Sequence, residues 1–153
     1  MSLQIGIKQQ LHTKCCELVE LRISNAKEAM TSAREAANEE TKSSAGDKYE
    51  TGREMMQQEM ENNAIQLAEA RKLMEIMDKI APGKTYDSVQ SGSLVVTNNG
   101  SFYISIGLGK IQVDGKDYFA IAPTSPLGNL LMDKQASDSV ELNGRKFILE
   151  KVI

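Results

Sequence analysis

The sequence predicts an α+β protein, an N-terminal antiparallel two-helix coiled coil followed by a small antiparallel β domain with one short helix. Three observations carry that reading. No proline occurs before Pro82, and two long stretches of good helix formers carry heptad-spaced apolar stripes. From Gly92 onward short β-type runs alternate with Asn-Gly and Asp-Gly pairs, the strongest local signals for hairpin turns. Aromatic residues make up only 5% of the 153 residues and there is no Trp, which is thin for a large globular core and ordinary for long helices. The expected division is a hairpin over residues 1–80 with its tip at 41–49, a linker over 81–91 and a β domain over 92–153.

The first helix runs from about Ile5 to Glu40. Its stripe is Cys15, Val19, Ala26, Ala29, Ala33 and Ala36, with Arg22 filling the gap in the three-and-four spacing. Leu11, Leu18 and Leu21 are expected to widen the stripe near the open end. The side chains therefore shrink to alanine toward the tip, which lets two helix backbones approach closely. The second helix, Tyr49 to Lys79, has the cleaner seam: Met56, Met60, Asn63, Leu67, Ala70, Met74 and Met77. Asn63 is the polar residue on it, of the kind that fixes register at some cost in stability. Methionines there are expected to fill space against the facing stripe. About 30 residues per arm at 1.5 Å each give a reach of roughly 45 Å.

Between the arms, Thr41 to Lys48 break the periodicity with Ser, Gly and Asp. Gly46 suits the left-handed conformation that ends a helix. Asp47 suits the N-cap of the next, with Glu50 at the capping-box spacing. Asp47 is also a carboxylate in an exposed turn, so a metal-ligand role competes with the cap.

Ala81-Pro82-Gly83 ends the second helix. Three strand pairs follow: SLVVT with SFYISI across Asn98-Asn99-Gly100, IQV with DYFAIA across Asp114-Gly115, and DSVEL with RKFILEKVI across Asn143-Gly144. Before the last pair, Ser125 caps and Pro126 starts a short helix whose Leu127, Leu130 and Leu131 form one apolar face.

Charge and composition exclude several functions. The chain has 18 Lys+Arg against 21 Asp+Glu; residues 1–80 hold 11 and 14 of these, so neither part has the basic excess of an autonomous DNA or RNA binder. No apolar run approaches the length of a membrane span and no leader is evident, so a soluble, cytoplasmic protein with no membrane partner is expected. Cys15 and Cys16 are adjacent in a helix, where a bond between them would distort the backbone, and with one histidine and no CxxC they suggest neither a disulfide nor a metal site. His12 is expected to be a packing or surface residue. There is no P-loop and no Ser-His-Asp set.

The segment SPLGNLLMDKQASDSVELNGRKFILEKVI resembles the end of the GreA/GreB transcript-cleavage factors, through Ser125, Pro126, Gly128, Leu131, Lys134, Asp138, Val140, Gly144, Ile148 and Val152. The segment YETGRE, Tyr49 to Glu54, is similar to that family's Tyr-x-x-Ala-Arg-Glu just past its hairpin turn. The two segments occur in the family's order, and the resemblance spans nearly the whole chain. It implies an FKBP-like C-terminal domain that docks on RNA polymerase, and a coiled coil that enters the polymerase secondary channel. It implies no cofactor of the protein's own and no enzyme activity beyond stimulating the polymerase's own RNA cleavage, with tip carboxylates helping to hold Mg²⁺ in the polymerase active site and nascent RNA met only indirectly. Partner-binding positions carried over are Lys42, Tyr49, Arg53, Ser125, Pro126 and Gly128. Registered on Tyr49 and Arg53, the family's two key acids fall at Lys42 and Ala45. The carboxylates nearby are Asp47, Glu50, Glu40 and Glu39, with Asp47 the candidate metal ligand. Two other readings stand beside this one. A coiled-coil chaperone or scaffold needs exposed apolar residues to grip with, and TKSSAGDK has none larger than Ala. A prolyl isomerase needs converging aromatics, and Phe102, Tyr103, Tyr118, Phe119 and Phe147 include neighbours that face opposite sides of a strand.

Overall fold

The computed structural model describes residues 2–43 and 47–153, and within these no side chain at residues 2, 37, 40–43 or 47–51. Two long helices come first, α1 (Ser2–Ser43) and α2 (Asp47–Asp78). They pack along the expected seam as a coiled-coil pair. Cys15, Val19, Ala26 and Ala33 are buried on α1, and Leu67, Ala70 and Met77 on α2, while Met56, Met60, Asn63 and Met74 are half-buried. The seam is narrower than expected at the start of α1. Leu11 is fully buried, but Leu18 and Leu21 are 42% and 56% exposed. Relative to Ala26, a helical step of about 100° per residue turns both leucines well off the seam axis.

Six strands and a short helix follow: β1 (Leu94–Thr97), β2 (Gly100–Ile104), β3 (Gly109–Val113), β4 (Lys116–Ile121), α3 (Pro126–Leu131), β5 (Ser139–Leu142) and β6 (Arg145–Val152). The strand pairs are those expected, and so are two of the turns. Asp114-Gly115 and Asn143-Gly144 both have positive φ at both positions, the type I′ geometry that matches strand twist.

The sheet is mixed rather than wholly antiparallel. Its order is β3-β4-β2-β1-β6-β5, and β2 pairs with β4 in parallel, Phe102 opposite Phe119 and Ile104 opposite Ile121. The cause is that β3 does not fold back onto β2. It pairs outward with β4, so the β3–β4 hairpin returns β4 alongside β2 in the same direction.

One face of the sheet carries Val95, Phe102, Ile104, Val140, Phe147 and Leu149, closed by Val89 and by Leu131 of α3. Phe102 stacks with Phe119 at 5.8 Å and meets Phe147 edge-on at 5.9 Å. Three of the five aromatics therefore do converge, because Phe119 and Phe102 are in register on adjacent strands. Strand alternation sends Tyr103 and Tyr118 to the other face, with Leu94, Ile111, Val113 and Ala120.

The chain divides into two compact units, Met1–Glu17 with Glu75–Ile153, and Leu18–Met74. The start of α1 and the end of α2 thus belong with the sheet, whereas the sequence reading placed the division after the second helix. Among the described residues no helix is long and apolar enough to cross a membrane.

Candidate functional site

Three places concentrate the residues singled out by sequence. At the tip, Glu40 and Lys42 fall in the last turn of α1, and Asp47, Tyr49 and Glu50 in the first turn of α2. Their side chains lie outside the described residues, as does all of Ala45 and Gly46. The cap and metal-ligand readings of Asp47 rest on atoms in that group. Arg53 follows on α2 and is exposed.

The second place is the start of α3. Ser125 takes an extended conformation (φ −65°, ψ 159°), and its hydroxyl accepts from the Gly128 N–H at 3.0 Å. The same hydroxyl donates to the Ala122 carbonyl at 2.7 Å. One side chain thus caps the helix and ties it to the end of β4. Pro126 sits where its missing N–H costs nothing and is exposed. Gly128 is buried because nothing else fits: a Cβ there would lie 2.1 Å from the Ala122 carbonyl oxygen. The Ser-Pro-x-Gly series therefore has a complete structural explanation, and of its members Pro126 offers the most surface to a partner.

The third place was not anticipated. Where the start of α1 meets the Tyr103 face of the sheet, several polar groups are buried together. The Lys8 ammonium is fully buried, donates to the main-chain oxygens of Lys84 at 2.5 Å and Ile153 at 3.1 Å, and lies 5.0 Å from the Tyr86 ring centroid. Burial pulls its pKa down to about 8, while the two acceptors and the ring favour the charged form. One turn on, His12 Nδ1 and the Tyr103 hydroxyl share a 2.8 Å hydrogen bond, the rings meeting edge to face. Burial lowers the His12 pKa, opposed by the nearby Asp78 carboxylate. A further turn on, burial pushes the Cys15 thiol up to about 12, offset in part by Ser105. The Ser105 hydroxyl is buried with no hydrogen bond of normal geometry, so its contact with the thiol is a weak polar one. Lys14 Nζ also donates to the Gln112 carbonyl on the edge strand β3.

This cluster is a fastening rather than a reaction centre. A thiol held protonated at neutral pH is not a nucleophile, and the histidine Nδ1 is occupied by a phenol. The expectation that His12 packs agrees with the structure, and neither cysteine is in a disulfide. Among the described residues no three His, Cys, Asp or Glu side chains are placed to hold a metal. The sequence did carry one signal for Lys8: it lies seven residues before Cys15, on the backward extension of the buried stripe. Neither the models of known protein families nor the curated proteins match this chain.

Proposed function

We propose that this protein is an RNA polymerase-binding transcription elongation factor of the GreA/GreB type, whose coiled-coil hairpin enters the secondary channel. The observation that carries the reading is the coincidence of element order with the resemblance. The segment similar to the family's tip region opens the second helix of a two-helix coiled coil. The segment similar to the family's end forms α3, β5 and β6 of a six-stranded module. The absence of a basic surplus fits a protein that reaches nucleic acid through a partner.

The register at the tip bears on the activity. Lys42 and Ala45 stand where the family has acids, and neither an ammonium nor a methyl group can ligate Mg²⁺. The donor set at those positions does not fit the metal, so no cleavage step is assigned to them. The function proposed is modulation of extension by occupancy of the channel.

The test is a backtracked elongation complex from the cognate cell, with the full chain added. Slowed extension with unshortened transcripts is the expected result. Transcript shortening that disappears in Asp47→Ala would instead make Asp47 a ligand and the protein a cleavage factor. Failure to bind polymerase would remove both versions. It would favour the scaffold reading, for which the exposed Leu18, Leu21, Met55 and Ile65 of the hairpin are the supporting observation.

A further inference from the structure

Within the unit Leu18–Met74, one flank of the helix pair is built differently from the other. A cleft opens there between α1 and α2, lined by Arg22, Asn25, Ala26 and Ala29 on one side and by Asn63, Gln66, Glu69, Ala70 and Leu73 on the other. Its floor is alanine, small enough for a further helix to approach closely. Around it stand Leu18, Leu21 and Met55, exposed by 42%, 56% and 66%. At about 100° per residue, all three lie on the cleft's flank of the seam, and none on the opposite flank. There the larger side chains Ile23, Met30, Met60 and Met74 are half-buried.

We infer that this flank is a self-association surface, on which a second copy of the chain docks to make a four-helix bundle. Charge selects the occupant. Arg22 and Glu69 line opposite walls of the same cleft, and among the described residues neither has an ion-pair partner. A two-fold axis parallel to the helices lays α1 of one copy on the antiparallel α2 of the other. Arg22 then meets Glu69 of the second copy, and the symmetry makes the contact twice. A surface bearing both halves of a charge pair at one level suits a copy of itself better than a uniformly acidic or basic partner.

The size is adequate. The described part of each arm is roughly 33 Å long, and two helices side by side are about 20 Å wide. That gives on the order of 650 Å² per copy and about 1,300 Å² in total, within the range of specific interfaces. The exposed Leu18, Leu21 and Met55 supply the apolar centre that such an interface needs.

The experiment is sedimentation equilibrium of the full chain from low micromolar to several hundred micromolar. A reversible monomer–dimer equilibrium is expected. Arg22→Glu or Glu69→Arg places like charges opposite each other and should raise the dimer dissociation constant roughly tenfold or more at low salt. The double variant restores the pair in reverse and should recover most of the loss. Leu21→Glu with Met55→Glu, both at exposed positions, should give a monomer with unchanged helical circular dichroism. A monomer at every concentration overturns the inference. So does a dimer indifferent to Leu21→Glu/Met55→Glu, or a double charge swap that recovers nothing. The outcome is independent of polymerase binding.

Discussion

Gly128→Ala separates a structural role from a docking role at the start of α3, because propensity and packing predict opposite signs. In an exposed helix, Gly→Ala stabilises by about 0.5–1 kcal/mol through the unfolded chain. Here the added methyl would lie 2.1 Å from the Ala122 carbonyl oxygen and 2.7 Å from Ser125 Oγ, against a floor of about 3.0 Å for real contacts. The carbonyl is main chain at the end of β4, so the helix must shift by close to 1 Å. That movement strains the Gly128 N–H to Ser125 Oγ bond and the Ser125 Oγ to Ala122 bond, and lifts Leu131 from a site where it is fully buried. Overpacking of this kind costs about 1–3 kcal/mol and a lost cap about 1 kcal/mol, so the variant should be destabilised by roughly 2–4 kcal/mol. Urea unfolding of the full chain measures it, with an unchanged slope required. Gly6→Ala is the control, since nothing lies within 4 Å of a Cβ at that helical position. If the Gly128 variant matched the Gly6 control in sign, the close approach would not constrain the chain. Gly128 would then have to be explained by a partner.

Cys15 should make the protein sensitive to alkali. The folded thiol titrates near 12 against an ordinary 9, so from pH 9 upward the unfolded chain alone releases the proton and stability falls by about 1 kcal/mol per pH unit. Urea midpoints at pH 8, 9 and 10 should rise more steeply above pH 9 in Cys15→Ala than in the parent chain, by that same slope. Lys8 acts in the opposite sense. Its folded pKa is about 8 against 10.5, so between those values the unfolded chain holds a proton the folded chain has lost, and stability rises with pH at a similar slope. Lys8→Met should abolish that rise and lay bare the thiol's fall above pH 9, measured in the same titration. Asn63 Nδ2 is buried without a hydrogen-bond partner, so Asn63→Leu should raise hairpin stability by at least about 1 kcal/mol, read as a higher thermal midpoint. A lower midpoint would mean that the amide is satisfied in solution.

What could be read from sequence was what local chemistry decides. The Asp114-Gly115 and Asn143-Gly144 turns were legible because two successive positive φ values leave few residue choices. The capped start of α3 was legible because Ser-Pro states both the cap and the first helical residue. The seam was legible because alanine and methionine recur at heptad spacing. The parallel β2–β4 pairing was not, since it depends on β3 declining its neighbour, a choice made in space. Nor was burial of Lys8, because a lysine on a helix is ordinarily solvated. It is buried here only because the main-chain oxygens of Lys84 and Ile153, far off in sequence, converge on it. Leu18 and Leu21 misled for a related reason: a leucine near an apolar stripe reads as core until the width of the facing helix is known. The tip residues proposed for function, Asp47, Glu50, Glu40, Lys42 and Tyr49, have side chains outside the described residues.

The alanine seam and the exposed flank point in different functional directions, and the chemistry of each explains why both can be present. Alanines at Ala26, Ala33 and Ala70 give up burial in exchange for close backbones, so this unit stays slender, about 10 Å by 20 Å in section. Slenderness is what entry into a channel requires. The same choice leaves little apolar area inside the seam, and Leu18, Leu21, Met55 and Ile65 remain outside it. A copy docked on that flank would double the thinner dimension, so self-association and channel entry would compete for one surface. Leu21→Glu/Met55→Glu leaves every seam residue in place. In that variant the dimer should be lost and polymerase binding kept. If both were lost together, the flank itself would be what the polymerase holds, and slenderness alone would not account for the hairpin's design.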